Sequence, residues 1–326
     1  RPVPTGLQAT LRPYQVEGFQ WLSFLYEQRL GGILADDMGL GKTVQALALL
    51  AHAIEEHRAA SERAASERAA EHGESVEPFA PFLVVAPTSV IANWAAEAER
   101  FLPEAKVVTI TETTAGKTPL AERIAGAHLV LTSYTLLRMD EDAYTGYART
   151  LGGSVDKRTV DEFTSELSAP EGWGALLLDE AQFVKNTGTR AWSIARAMPA
   201  RTKIAMTGTP IENNLMELWA LLAIVADGLF PSARAFRDLY ARPAESGEDP
   251  AHAAATAARL RRRIRPLMLR RTKELVAAEL PAKNDTRVNL PLAPGQQHNG
   301  SRQGSRCRTS TCGVSPSQFF LILIDV

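Results

Sequence analysis

The sequence predicts an α/β fold, a parallel sheet with helices on both faces. Three observations predict it. Short apolar runs alternate with stretches of helical periodicity along most of the chain, which is the pattern of repeated β–α–β units. A glycine-containing loop joins the first apolar run to a long helical stretch, the arrangement that points backbone N–H groups at a phosphate. An acidic pair closes another apolar run, at the strand end where the ligand crevice of an open sheet lies.

The elements follow in order. Residues 11–28 carry Leu11, Phe19, Leu22, Leu25 and Tyr26 at three- and four-residue steps, a helical face. Residues 32–35 form the first strand, a glycine loop follows, and helical periodicity runs from Lys42 to about Glu56. Further buried strands are expected at 82–86, 106–110, 128–132, 175–178 and 203–206. Two segments read as insertions, near 57–80 and at 140–171. The first holds AASER twice in tandem, at 59–63 and 64–68. A period of five builds no single buried helical face, so an exposed helix is expected, with a charged functional arm as the alternative. The second is polar, contains Gly152 and Gly153, and reads as a surface excursion.

Composition bounds the function. Among 326 residues, 45% are hydrophobic and 22% charged, which excludes wholesale disorder, a collagen-like fibre and a disulfide miniprotein. With 36 basic and 37 acidic residues the net charge is −1, so any nucleic-acid contact must be a local patch. No apolar run is long enough for a membrane helix. The chain opens on Arg1 without a signal-peptide pattern, and a fragment is the expectation. Cys307 and Cys312 make a lone C-x4-C. A redox pair or half a zinc site is conceivable, but an incidental pair in a reducing compartment is the expectation.

Four motifs carry chemistry. In DDMGLGKT, residues 36–43, Gly39 and Gly41 allow close backbone approach to a phosphate. Lys42 can reach the β- and γ-phosphates, and the Thr43 hydroxyl can ligate Mg²⁺. The strict pattern asks for glycine where this chain has Asp36. In DEAQ, Asp179 can hold Mg²⁺ and Glu180 can orient and deprotonate an attacking water; an acidic helix start is the competing reading. Thr207, Gly208 and Thr209 offer two hydroxyls that can sense the γ-phosphate through the acidic pair, or simply a turn. Gln15 offers an amide able to read an adenine edge.

Taken together, LRPYQ (11–15), DDMGLGKT (36–43), VVAPTSVIANW (84–94), LTSY (131–134), DEAQ (179–182), TGTPIENN (207–214) and LRRTK (269–273) occur in the order of one family. The chain resembles the first motor lobe of the Swi/Snf-type helicase-like ATPases, of bacterial type, over about residues 11–297. IENN after TGTP, followed by LRRTK, separates it from DEAD-box RNA helicases. Asp36 is what this family shows in place of the strict glycine. Gln182 stands where many members have His.

The resemblance implies a RecA-like lobe using ATP and Mg²⁺. It places Gln15 at the adenine and Asp37, Met38, Gly39, Leu40, Gly41, Lys42 and Thr43 around the nucleotide, with Thr43 and Asp179 at the metal. Lys42, Asp179, Glu180 and Gln182 are the catalytic set, and Thr207, Gly208 and Thr209 couple it. It also implies double-stranded DNA as the track, gripped along its backbone without regard to sequence. The candidates on this lobe are Pro87, Thr88, Ser89, Asn93, Thr132 and Ser133, since hydroxyls and amides suit phosphate contact. Trp94 is expected in the core, with a stacking or wedge role as the alternative, and Trp21, Trp173, Trp192 and Trp219 are expected to pack.

The expected domains are then a RecA-like ATP-binding lobe at 1–230, a helical protrusion at 231–282, a strand or linker toward a second lobe at 283–297, and an atypical tail at 298–326. Eight Lys or Arg and no acid lie between Arg259 and Lys273, a cluster suited to DNA or inter-lobe contact as much as to a plain surface. The motifs stop near Gln297 without a second lobe. Weak nucleotide binding and slow hydrolysis by this chain are therefore expected, the alternatives being a non-catalytic nucleotide- or DNA-binding module or a lobe of another helicase-like enzyme. A monomeric motor in the bacterial cytoplasm, at the nucleoid and away from membranes, acting beside DNA-bound protein complexes, completes the expectation.

Overall fold

A computed structural model describes residues 1–68, 78–113, 118–151, 172–210, 214–246 and 249–276. The tail, the linker at 283–297, both cysteines and the first three residues of IENN lie outside them. Seven parallel strands form one sheet in the order β3-β4-β2-β5-β6-β1-β7. They are β1 (Gly32–Leu34), β2 (Phe82–Ala86), β3 (Val107–Thr109), β4 (Leu129–Ser133), β5 (Ala175–Asp179), β6 (Lys203–Met206) and β7 (Met268–Leu269). The six strands read from apolar runs are all present, and the fold is the RecA-like α/β class.

The inner strands are buried on both faces, β1, β2 and β4 along their whole length and the edge strand β3 only partly, so apolar residues run through them without polar alternation. Leu83, Val85, Val130, Leu176, Leu178 and Ala205 point into one core and Phe82, Val84, Leu129, Leu131, Leu177, Ile204 and Met206 into the other. The second core is closed by α1 (Pro13–Glu27), α2 (Lys42–Arg68) and α3 (Thr88–Phe101). The first is closed by α5 (Tyr134–Met139), α6 (Glu141–Leu151), α7 (Arg190–Ala197) and α8 (Leu215–Val225), with the single turn α4 (Leu120–Arg123) beside them. Asn214, the last residue of IENN, caps α8 by accepting the Glu217 N–H at 3.2 Å, a structural role of the usual N-cap kind.

Of the two expected insertions, the first is the continuation of α2 to Arg68, half-exposed where its side chains are described; residues 69–77 lie outside the described set. The second starts differently from expectation. Residues 141–151 are not a surface excursion but helix α6, whose Tyr144 is fully buried, hydrogen-bonded to Thr132 at 2.7 Å and packed beside Trp173. Aromatic burial outweighs the polar composition there. Residues 152–171 are not described.

The basic stretch divides in three. Beyond the short helices α9 (Ala233–Phe236) and α10 (Arg242–Ser246), α11 (Pro250–Ile264) sets Arg259 over Tyr240 and Arg263 over Phe230, at 5.3 and 4.7 Å from the ring centres. Arg262 and Arg265 are exposed. The chain then returns to the lobe, which the expected protrusion at 231–282 did not include. Met268–Leu269 pair with Ile33–Leu34 as the edge strand β7, and Arg271 is buried under the glycine loop.

There Arg271 forms a two-pronged ion pair with Asp36, which is 0% exposed. Its guanidinium also donates to the Tyr14 carbonyl and to Gln45 Oε1, the latter at 2.8 Å. Main-chain bonds knit the same segments, Ala35 N–H to Leu269 O at 2.7 Å and Asp37 N–H to Arg271 O at 3.0 Å. Gly18 makes room for this network: a Cβ there would stand 1.7 Å from Gln45 Oε1.

Three outcomes test this packing. Leu177→Ala, in the central strand, should lower stability by about 2–5 kcal/mol, read as the denaturant midpoint. Arg271→Ala strands a buried carboxylate and should cost about 3–5 kcal/mol. Combining Asp36→Ala with Arg271→Leu should cost less than the two single changes together, and strict additivity would refute the coupling.

Candidate functional site

The register of the sheet builds the site. Leu34 of β1 and Asp179 of β5 both lie level with Met206 of the intervening β6. The loops leaving these three strands, at 36–43, 180–182 and 207–209, therefore emerge side by side at the carboxyl edge. Each strand was legible as an apolar run; their adjacency follows from strand order.

The glycine loop turns on Gly39 and Gly41, at φ +87° and +79°. A Cβ at Gly41 would meet Gln15 Nε2 at 2.5 Å. Gln15 in turn donates to Leu40 O at 3.2 Å and accepts the Arg12 N–H at 2.9 Å. Its amide thus braces the loop from the first helix, at the rim of a cavity of about 500 Å³ also lined by Gln8, Thr10, Val44 and Arg100. Met38 is exposed and Leu40 is buried under the loop. Thr43 lies in the first turn of α2.

Lys42 folds over the loop and donates to the Asp36 and Asp37 carbonyls at 2.6 and 3.3 Å. Burial pushes its ammonium below the usual lysine range, and the charges of Asp36, Glu180, Asp179 and Asp37 oppose that shift. One cation thus faces both the loop and the acidic pair. Asp179, largely buried, is held above the usual carboxylate range by desolvation, opposed by hydrogen bonds from the Trp94 indole and the Glu180 N–H. Glu180 has φ 49° and ψ 54°, a left-handed conformation that costs a non-glycine residue about 1–3 kcal/mol and is typical of functional positions.

A relay of hydrogen bonds crosses from the acidic pair to the next strand. Gln182 Nε2 donates to Glu180 Oε2 at 2.8 Å, Thr207 Oγ1 donates to Gln182 Oε1 at 3.1 Å, and the Thr209 N–H donates to Thr207 Oγ1 at 3.1 Å. The side chains of Glu180, Gln182 and Thr207 are thus linked to the Thr209 backbone, and Gly208 lies against Met38 of the glycine loop. A glutamine fits because its amide donates on one side and accepts on the other. The donor set also suits a hard divalent cation. Asp179 accepts one neutral N–H on each oxygen, which leaves lone pairs on both, and the Thr43 hydroxyl belongs to the neighbouring helix start.

The proposed nucleic-acid contacts separate. Thr88, Ser89 and Asn93 are exposed at the start of α3, with Pro87 half-buried before it. Thr132 and Ser133 do not present their hydroxyls. Thr132 is 0% exposed, its hydroxyl bonded to Tyr144, and Ser133 is buried with its Oγ capping α5 by accepting the Leu136 N–H at 3.2 Å. The fold's own hydrogen-bonding needs claim both groups.

Sequence reasoning missed the supports of Asp179. Trp94 is 2% exposed, in the core as expected, but its indole N–H reaches Asp179 Oδ2 at 2.8 Å. Tyr134 donates its hydroxyl to the Asp179 main-chain oxygen at 2.9 Å. Glu97 lies nearby, its carboxyl pushed up by burial and by Asp179, against Arg100. Ile91, Trp94 and Ala98 share the buried face of α3, a periodicity that points Trp94 at the sheet without saying which strand it meets. The other four tryptophans pack: Trp173, Trp192 and Trp219 are buried, and Trp21 is half-buried with its indole on Pro266 O.

Comparison with known proteins gives the family. The sequence matches the SNF2-related domain over residues 14–303. It is 35% identical over 307 residues to the chromatin-remodeling ATPase INO80 of Arabidopsis thaliana, covering 90% of this chain and 17% of that protein. It is 33% identical to the helicase ssl-1 of Caenorhabditis elegans, covering 91% of this chain and 11% of that protein. Among solved structures, the Sulfolobus solfataricus SWI2/SNF2 ATPase core in complex with dsDNA superposes with a TM-score of 0.63 at 30% identity, covering 90% of this chain and 52% of that one. The chain thus spans about half of that core and less than a fifth of these two relatives. On motif order, strand order and these matches, the chain belongs to the SNF2-related domain family.

Proposed function

We propose that this chain is the ATP-binding first lobe of a DNA-dependent, double-stranded-DNA-translocating ATPase. The observation that carries the reading is the convergence of the Lys42 ammonium with Asp179 and Glu180 at one sheet edge, joined to Thr207 through Gln182. In this reading residues 37–43 cradle the phosphates, with backbone N–H groups and the Lys42 charge on the β- and γ-oxygens. Gln15 takes the adenine beside the cavity at the loop rim. Thr43 and Asp179 hold Mg²⁺, which when bound neutralises charge on the phosphates. Glu180 orients the attacking water and accepts its proton, while Gln182 and Thr207 carry the state of the γ-phosphate to the neighbouring strand.

The DNA reading rests on Pro87, Thr88, Ser89 and Asn93 at the exposed start of α3, and on the dsDNA present in the Sulfolobus complex. Since the chain spans about half of that core, the lobe by itself is proposed to bind ATP weakly and to turn it over slowly. Arginines from a second lobe are worth about 10³–10⁵ in rate in related NTPases. A monomeric motor beside DNA-bound protein complexes is the setting we infer from the family, and a bacterial nucleoid from the alanine- and arginine-rich composition.

Lys42→Ala should abolish ATP binding by calorimetry at unchanged melting temperature; unchanged affinity would return the loop to a plain turn. Thr88→Ala with Ser89→Ala should weaken binding of a short duplex without regard to its sequence and leave the salt slope unchanged, since hydroxyls neutralise no phosphate charge, measured by fluorescence anisotropy across salt concentrations.

A further inference from the structure

We propose that Trp94 is a positioning residue: its indole N–H fixes the Asp179 carboxylate for the metal and ties that carboxylate to the helix whose exposed first turn faces DNA. The inference rests on the nucleotide reading above and extends it to a residue outside the phosphate-loop, acidic and TGT motifs.

The geometry is specific. Asp179 ends β5, and each of its carboxylate oxygens takes one N–H, Oδ2 from Trp94 at 2.8 Å and Oδ1 from the Glu180 backbone at 2.9 Å. Two donors on two oxygens fix the rotation of the carboxylate plane and leave lone pairs for a cation. Tyr134 holds the main-chain oxygen of the same residue at 2.9 Å. An indole suits the task because it is neutral. Arg or Lys in its place would orient the carboxylate but compete with the cation for its charge. Trp94 is 2% exposed in the core beneath α3, so packing sets the position of its N–H. Second-sphere partners that orient a ligand in this way typically contribute 10–100-fold to metal affinity.

The same helix makes the link. Thr88 and Ser89 are exposed in its first turn, six and five residues before Trp94. That is about 9 Å along the axis at 1.5 Å per residue. A phosphate gripped at that turn shifts or steadies a rigid helix whose next turn holds the carboxylate.

The experiment measures ATP binding to the whole chain by calorimetry, in EDTA and across a MgCl₂ series, for the wild type and Trp94→Phe, which keeps a buried ring and loses the N–H. In EDTA the two affinities should agree within about twofold. The MgCl₂ concentration that half-saturates the magnesium-dependent gain should rise about tenfold or more in Trp94→Phe; an unchanged value overturns the positioning role. Adding a short duplex should lower that concentration in the wild type and leave the variant unmoved. No duplex effect in the wild type, or an equal one in both, overturns the link to α3. Should Trp94→Phe fail to fold, ¹⁵N-labelled indole signals of the wild type decide the matter. One of the five should move when MgCl₂ is added to ATP-loaded protein, and five stationary signals refute the role. A wild type that binds no ATP in either condition overturns the nucleotide reading itself, an outcome separate from the others, and removes the inference with it.

Discussion

The site depends on one buried ion pair. Asp36 occupies the place where the strict phosphate-loop pattern has glycine, and its carboxylate is wholly enclosed. A lone charge there would be prohibitive in free energy. Arg271, from 235 residues further along, satisfies both carboxylate oxygens and reaches Tyr14 O and Gln45 as well. The first helix, the glycine loop, the helix that follows it and the last strand are thereby joined at one guanidinium. Substituting an aspartate for the glycine is not a loosening of the loop; it exchanges a tight turn for an anchor beneath it.

The acidic pair is held by the opposite logic. Where Asp36 is neutralised by a cation, Asp179 is steadied by neutral donors, an indole and a backbone N–H. Lys42, whose charge acts on Asp179, rests on main-chain carbonyls of its own loop. Two aspartates one strand apart thus have different fates, one made inert and one kept available. The left-handed Glu180 and the Gln182–Thr207 relay extend the available side toward the next loop.

How much of this was legible follows from the range of each interaction. Six strands could be read because a doubly covered parallel strand is a short apolar run. β7 could not, since two paired residues inside a basic stretch carry no such signal, and only pairing with β1 makes them a strand. The glycine loop, the acidic pair and the TGT turn were legible because local residue types carry their chemistry. Arg271 beneath the loop and Trp94 on Asp179 are long-range pairings that no window of sequence displays. Thr132 and Ser133 were misjudged for the same reason. A hydroxyl at a strand end can serve a ligand or the fold, and Tyr144, from a segment that reads as polar, claims the first of them.

The edge strand has a consequence for how such a lobe comes into being. The backbone of residues 35–37 is hydrogen-bonded to Leu269 and Arg271, so the loop near the start of the chain is finished by a segment made long afterwards. During synthesis the emerging chain can pair β2, β4 and β5 while the buried face of Asp36 still awaits its counterion. Contacts so distant in sequence form late, because loop closure must precede them. The carboxylate beneath the glycine loop therefore meets its counterion only after residue 271 has left the ribosome.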